Sequence, residues 1–156
     1  ASTGDWAWSG RAAGAPLYDT ARLLYRTKPN RQLKLLGIVL GRLESELDGR
    51  LVWTTLEHDD YARSGSEPAD AEGISDLLSQ SATGEVVVLF KQNGADSTRL
   101  SVRTKEGGID ATELTGAFGG GGHARAAGAT VPLPLAQAVP AVLEVARRLI
   151  GDRPQA

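Results

Sequence analysis

The sequence contains no cysteine and no methionine, and each absence limits what the chain can be. Without cysteine it forms no disulfide and offers no thiolate to a metal, and we expect a cytoplasmic protein from this composition. Because methionine is missing even at position 1, we also expect the chain to be a piece of a longer protein.

Long apolar runs and excess positive charge are missing as well. No run approaches the roughly 20 apolar residues of a membrane-spanning helix, and no secretory signal pattern opens the chain. The net charge is −2, whereas proteins that grip long nucleic acids usually carry a basic face. Any contact with a nucleotide is therefore expected to be local, with a small or terminal piece of the ligand.

The 156 residues suit one domain, whose core must be mainly aliphatic because aromatic residues make up only 5% of the chain. Helical and strand patterns alternate, which predicts an α/β fold: a mixed β-sheet flanked by helices in a single compact domain. The predicted helices cover residues 15–26, 31–47, 72–81, 110–118 and 135–151, and the predicted strands cover 50–56, 85–91, 97–104 and 129–133. Within the second strand, the apolar run from Val86 to Phe90 indicates a central strand covered on both faces. Asn93-Gly94 predicts a hairpin to the third strand.

A leucine stripe marks the predicted helix over residues 31–47, with Asn30 as its N-cap. The stripe consists of Leu33, Leu36, Leu40, Leu43 and Leu47. It has two readings, a face packed on the sheet or a dimer seam, and we favour the packed face.

Glu57-His58-Asp59-Asp60-Tyr61 places a histidine beside two acids. Adjacent residues of one segment rarely converge on one ion, whereas acids after a strand commonly begin a helix. We therefore predict a helix start here and no metal site.

The stretch from Gly119 to Gly128 combines four glycines with a histidine, an arginine and small residues. Glycines let backbone N–H groups approach a ligand, and we expect a short helix over residues 123–127 whose N-terminus attracts anions. His123 and Arg125 add donors beside that turn. The pattern predicts a cradle for a phosphate or a carboxylate.

The strand before this stretch alternates, with Leu100 and Val102 on one face and Arg99, Ser101 and Arg103 on the other. We expect Arg99 to lie on a solvated face. Arg103 comes at the end of the strand, where ligand groups often gather, and its guanidinium is suited to hold a phosphate through two N–H bonds.

These motifs resemble the DHH-associated domain, the C-terminal substrate-binding lobe of the DHH phosphoesterases. The stretch Gly119–Gly128 resembles the family's signature, and residues 100–104 resemble its Ser-x-Arg-Ser strand end, with Thr104 in place of the last serine. Residues 109–118 resemble the helix before the glycines. The resemblance runs from about residue 15 to 150 and is greatest to the nano-RNase and pAp phosphatase branch, some members of which hydrolyse cyclic dinucleotides.

The resemblance implies a substrate site but no catalytic residue and no metal in this chain. In the family a separate N-terminal lobe carries two manganese ions and an Asp-His-His motif, and this sequence has only His58 and His123. The implied substrate-binding residues are Ser101, Arg103, Thr104, Gly120, Gly121, Gly122, His123 and Arg125.

The implied organisation has three parts. Residues 1–14 are a remnant of the catalytic lobe, since Thr3 to Ser9 loosely resembles its last strand and would account for Trp6 and Trp8. Residues 15–151 form the substrate-binding domain, and residues 152–156 are a tail.

The expected function is to hold short oligonucleotides, pAp, or cyclic or linear dinucleotides for hydrolysis by an N-terminal DHH lobe. The parent would be a manganese-dependent phosphodiesterase, whereas this chain alone would be inactive. The alternative is an RNA-binding appendage like the related domain at the end of alanyl-tRNA synthetase. A third reading is a homodimerisation module built on the leucine stripe. No membrane partner is expected.

Overall fold

The computed structural model describes residues 27–152, which form a six-stranded sheet with helices on both faces. The helices are α1 (Asn30–Leu40), α2 (His58–Ser64), α3 (Ile74–Leu78), α4 (Ala111–Gly116) and α5 (Leu135–Gly151), with a 3-10 turn at Pro68–Ala71. The strands are β1 (Glu44–Glu46), β2 (Leu51–Leu56), β3 (Val86–Gln92), β4 (Thr98–Thr104), β5 (Gly121–His123) and β6 (Ala126–Val131). The predicted α/β class is confirmed.

The strands lie in the order β1-β2-β3-β4-β6-β5. The pair β2–β3 is parallel and the other pairs are antiparallel, so the sheet is mixed. The hairpin predicted at Asn93-Gly94 is confirmed, and Gly94 has the positive φ of 89° that such a turn requires.

Two apolar clusters cover the two faces of the sheet. The first cluster packs β2, β3, β4 and β6 against α4 and α5. The second packs β2 and β3 against α1, α3 and the 3-10 turn. Val86, Val88 and Phe90 of β3 belong to the first cluster, whereas Val87 and Leu89 belong to the second. The prediction that this strand is covered on both faces is confirmed.

The second cluster ends at β3. Its buried members are Leu35, Val39, Val52, Leu56, Ala71, Ile74, Leu78, Val87 and Leu89, and none of them comes from β4, β5 or β6. On this face, three strands therefore extend beyond the helices that cover their neighbours.

The predicted helix over residues 31–47 is wrong in its C-terminal part. The helix ends at Leu40, and the chain then turns to pair β1 with β2 at the sheet edge. Asn30 is the first helical residue and Pro29 the N-cap. Leu33, Leu43 and Leu47 are exposed, and the buried face carries Leu35 and Val39. The five leucines of the stripe therefore do not lie on one helix, and they form no helical dimer seam.

Hydrogen bonds and an ion pair of Arg42 stabilise the turn that ends α1 after Leu40. Arg42 donates from Nη1 to the carbonyl oxygen of Thr55 at 3.2 Å, and it holds both carboxylate oxygens of Asp60 at 2.6 and 2.5 Å. The side chain of Asp60 is fully buried and also accepts from the backbone N–H of Glu57 at 2.7 Å. These bonds tie the turn after α1 to the start of α2.

The helix start predicted at Glu57 is confirmed, because Glu57 and Asp60 form a reciprocal capping box at the first turn of α2. Between residues 27 and 152, no group of three histidines or acids is placed to hold a metal ion. The acids that follow β2 thus begin a helix.

The other helices were predicted with mixed success. The helix α5 begins at Leu135 as predicted and contains Pro140 in its interior. The helix α3 spans only Ile74–Leu78, because Gly73 precedes it with a φ of 86° and the chain before it forms the 3-10 turn. The expected helix at residues 15–26 and the pair Trp6 and Trp8 lie outside the described residues. None of the helices from residue 27 to 152 has the length and apolar character to cross a membrane.

Candidate functional site

The glycine stretch forms the outer strands of the sheet, and the helix expected over residues 123–127 is wrong. Gly121–His123 is β5, Ala124 and Arg125 make the turn, and Ala126–Val131 is β6. Ala127 and Ala129 are buried in the core cluster beneath α5, and this burial favours a strand over a short helix of small residues. A helix N-terminus therefore does not account for any anion binding here.

The glycines of the run differ in what the structure requires of them. A Cβ on Gly120 would lie 2.3 Å from the carbonyl oxygen of Gly128. One on Gly122, whose φ is 139°, would lie 2.6 Å from Cα of Ala127. A Cβ on Gly121 would have no atom within 4 Å. Gly120 and Gly122 are thus needed for close packing on β6, whereas Gly121 faces open space.

The register of the strands brings the remaining predicted residues together. Residues directly opposite each other on paired strands share a face of the sheet. Arg103 lies opposite Ala126, which lies opposite His123. In the next row, Ser101 lies opposite Gly128, and Gly128 opposite Gly121. The third row pairs Arg99 with Thr130.

We call these eight residues the open half-face, because they lie on the face that the second core cluster leaves uncovered. They are Arg99, Ser101, Arg103, Gly121, His123, Ala126, Gly128 and Thr130. Its floor carries small residues, and above Gly121 a Cβ would meet no atom within 4 Å. Arg99, Arg103 and His123 provide the donors. Such a surface offers donors to an anion without a deep cavity.

Arg103 is held in place by an acid that the sequence did not point to. Its Nε donates to Oδ1 of Asp76 at 3.2 Å, and its Nη1 donates to the carbonyl oxygen of Val102 at 3.3 Å. The Arg103 side chain is 27% exposed and that of Asp76 is 59% exposed. The guanidinium therefore reaches the surface in a fixed orientation. Asp76 lies in the first turn of α3, and no sequence pattern linked it to β4.

His123 and Ser101 fill the other two predicted positions on this face. His123 is exposed at the end of β5, separated from Arg103 only by the small side chain of Ala126. Ser101 is half-buried beside Gly128. The structure thus brings Ser101, Arg103, Gly121 and His123 together as the sequence predicted.

Thr104 and Arg125 lie outside the open half-face and brace the turns beside it. Thr104 donates from Oγ1 to the carbonyl oxygen of Ala124 at 2.9 Å. Arg125 donates to the carbonyl oxygens of Lys105 and, at 3.1 Å, Ile109. Both side chains therefore hold the β5–β6 turn against the segment between β4 and α4. Their substrate-binding role stays a prediction.

The manganese pair implied by the family needs clustered carboxylates and imidazoles, and residues 27–152 do not provide such a cluster. The described part of the chain therefore does not fit a two-metal centre. The donor set that it presents is cationic and suits an anionic ligand.

The fold and this face together define an α/β domain whose sheet is sealed on one side and partly open on the other. The sequence matches the DHHA1 domain family over residues 48–152. Because this match spans well over half of the chain, the chain belongs to the DHHA1 domain family. The resemblance to the DHH-associated domain is confirmed.

A relative of known function supports this family assignment. The chain is 36% identical over 129 residues to the bifunctional oligoribonuclease and PAP phosphatase NrnA of Thermus thermophilus, with 82% of this chain and 37% of that protein covered. The chain thus spans little more than a third of the length of this relative.

Two solved structures share the fold. An exopolyphosphatase-related protein from Bacteroides fragilis superposes with a TM-score of 0.69 at 19% identity, over 86% of this chain and 38% of that one. The C-Ala domain of alanyl-tRNA synthetase from Aquifex aeolicus gives a TM-score of 0.50 at 19% identity, over 64% of this chain and 89% of that one.

Proposed function

We propose that this chain is the substrate-binding lobe of a DHH phosphoesterase and that it holds short oligonucleotides or nucleotides by a phosphate group. The observation that carries the proposal is the cross-strand row in which Arg103 and His123 flank Ala126 on the open half-face. This row places a guanidinium and an imidazole on either side of a small, accessible floor. The 36% identity to an oligoribonuclease and PAP phosphatase supports the choice of ligand class.

The chemistry of the row suits a phosphate better than a neutral ligand. A guanidinium has five N–H donors, and Arg103 uses two of its groups on Asp76 and Val102, so further donors remain for a ligand. Asp76 fixes the side chain, which lowers the entropy lost on binding. Gly121 leaves room above the backbone for a phosphate to approach.

In this proposal the chain positions the substrate and a second lobe hydrolyses it. Manganese, held by that lobe, would supply the activated water of a two-metal site. Residues of the open half-face would hold the phosphate or nucleotide at a distance from the bond that breaks. Such positioning contributes much of the rate enhancement in many enzymes. Residues 1–14 would continue from the catalytic lobe, residues 15–151 would form this domain, and residues 152–156 would be a tail.

The alternative role, an RNA-binding appendage, is favoured only by the shared fold with the C-Ala domain. That superposition has the lower TM-score, 0.50 against 0.69. A net charge of −2 also disfavours contact with the backbone of a long RNA. We therefore prefer the role of binding short nucleotide ligands. We also propose that the protein acts in the cytoplasm.

The test is a titration of this chain with the linear dinucleotide pApA, followed by NMR chemical shifts. We expect weak binding, roughly in the high micromolar range, because the chain provides one side of a cleft. Arg103→Ala and His123→Ala should each weaken binding about 10-fold or more, since a charge-assisted hydrogen bond contributes about 1.5–3 kcal/mol.

Arg148→Ala is the matched control, because it removes the same charge from the exposed surface of α5 on the other side of the sheet. It should bind pApA like the unaltered chain. If pApA shifts no resonance of the open half-face, the proposed function is wrong. If a whole tRNA binds tightly and salt weakens that binding steeply, the appendage role is correct instead. The molar mass in solution, measured in the same samples, tests the homodimer expected from the sequence.

A further inference from the structure

Arg99 lies on the open half-face, two rows from Arg103, and no role has been given to it so far. Its neighbour across the sheet is Thr130, whose Oγ1 accepts a hydrogen bond from Nη1 of Arg99 at 3.1 Å. The side chain is exposed. The sequence alone indicated a solvated arginine, and its surroundings show that it is oriented.

The electrostatic surroundings of Arg99 differ from those of Arg103. Arg103 is paired with the carboxylate of Asp76, whereas no carboxylate among residues 27–152 lies within 4.0 Å of the Arg99 guanidinium. The bond to Thr130 engages one N–H of a group that has five. Within the described residues no paired carboxylate therefore offsets the charge of Arg99, and most of its donors remain for a ligand.

The direction of the side chain places its guanidinium near the middle of the open half-face. Nη2 of Arg99 lies 3.2 Å from the position that a Cβ on Gly128 would take. Gly128 is opposite Ser101, which is two residues along β4 from Arg99 towards Arg103. The charge thus stands over the row of Ser101, about 7 Å along the sheet from the row of Arg103, given about 3.4 Å per residue in an antiparallel strand.

We propose that Arg99 binds a second phosphate of the ligand, so that the open half-face selects nucleotides that carry two phosphates over those that carry one. This inference rests on the proposed function, because Arg103 and His123 would hold the first phosphate. The Arg99 guanidinium and the row of Arg103, about 7 Å apart, suit phosphates on the 5′ and 3′ sides of one nucleoside. Gly121, where a Cβ would have no atom within 4 Å, leaves open space beside them for the sugar.

Thr130 is a positioning residue in this arrangement. Its hydroxyl holds Arg99 over Gly128, and without it the long side chain would regain its rotamer freedom. Gly128 matters for the same reason, since a side chain there would occupy the space of the guanidinium.

The test compares two ligands on the same variants: adenosine 5′-monophosphate and adenosine 3′,5′-bisphosphate. Affinities are measured by NMR titration of the full 156-residue chain. Arg99→Ala should weaken the bisphosphate about 10-fold and change the monophosphate less than about 2-fold, because only one ligand reaches this row. Thr130→Val should act in the same direction by a smaller factor, about 2- to 3-fold. Arg103→Ala should weaken both ligands, and Arg148→Ala neither.

The outcomes separate the two proposals. If the unaltered chain binds neither ligand, both proposals fail. If it binds both ligands through Arg103, and Arg99→Ala leaves the bisphosphate unchanged or weakens both ligands equally, only the role of Arg99 is wrong. Retained circular dichroism and melting temperature of Arg99→Ala would exclude unfolding, and Arg99→Lys should recover part of the affinity for the bisphosphate because it restores the charge.

Discussion

The two halves of the sheet differ in how they are covered on the face that carries α1 and α3. The half formed by β2 and β3 is packed against apolar side chains there, and it is closed at its edge by the ion pair between the partly exposed Arg42 and the buried Asp60. The half formed by β4, β6 and β5 presents arginine, histidine and glycine on the same face. On this face, β2 and β3 thus form part of the core, whereas β4, β6 and β5 lie beyond the covering helices and present polar groups.

From this difference we expect one set of residues to determine the free energy of unfolding and another set to determine ligand affinity. The bonds to the buried carboxylate of Asp60 and the apolar contacts of the covered half contribute to the free energy of unfolding. Exposed donors on the open half contribute little to the free energy of unfolding, because an ion pair on the surface stabilises a protein by no more than about 1 kcal/mol. Substitutions in the covered half should therefore change stability and leave ligand affinity alone, and substitutions in the open half should do the reverse.

The largest effect is expected from Arg42→Ala in the covered half. This change leaves the fully buried carboxylate of Asp60 without its bidentate partner. Removing one member of a buried pair typically costs about 3–5 kcal/mol of unfolding free energy. Urea denaturation measures the loss. As the matched control, Arg148→Ala should unfold at nearly the same urea concentration as the unaltered chain, and a similar loss in that control would contradict the distinction.

Acid should weaken the same pair. Burial tends to raise the pKa of Asp60, but the hydrogen bonds from Arg42 and from the backbone of Glu57 outweigh it and hold the pKa below its ordinary value. The stabilisation is therefore complete above the unfolded pKa of about 3.9 and is lost as the pH falls through the lower folded value. Melting temperatures of the unaltered chain and of Asp60→Asn should differ clearly at pH 7 and begin to converge as the pH falls below about 4. A constant difference down to pH 2 would show that folding does not lower the pKa of Asp60.

The glycine run allows a sharper comparison between two neighbouring positions. Gly120→Ala should destabilise the chain by about 1–3 kcal/mol, because its Cβ would overlap the backbone of β6. Gly121→Ala should change stability by less than about 0.5 kcal/mol, as surface changes usually do. The new methyl group of Gly121→Ala would instead rise on the open half-face and weaken the binding of pApA. Equal stabilities of the two variants would show that the close contact of Gly120 relaxes freely.

The sequence was most informative where a pattern follows from local chemistry. The helix predicted over residues 110–118 is one example: Asp110 caps α4 by accepting from the backbone N–H of Thr112 at 2.8 Å. The turn at Asn93-Gly94 and the apolar run of β3 were equally readable. In each case the residues that decide the structure are neighbours in the chain.

Strands of three residues were not predictable from local pattern. Both β1 and β5 are too short for alternation to appear, and β5 contains two glycines, which disfavour a strand. Their pairing with β2 and β6 decides their conformation. The same holds for Asp76, which reaches Arg103 from 27 residues away. The candidate site was found by residue type, and its geometry depended on these distant pairings.

The smallest effect is expected at Thr104, which should contribute slightly to both stability and ligand binding. Its hydroxyl donates to the carbonyl oxygen of Ala124 and so holds the turn that follows His123. Thr104→Ser keeps this bond and should leave both the melting temperature and the affinity for pApA unchanged. Thr104→Val loses it and should cost about 1 kcal/mol of unfolding free energy, which is the usual contribution of one neutral hydrogen bond. Because the turn carries His123, Thr104→Val should also weaken pApA slightly, by less than His123→Ala. If Thr104→Val weakens pApA as strongly as His123→Ala without changing stability, the hydroxyl contacts the ligand directly, and the site extends beyond the open half-face.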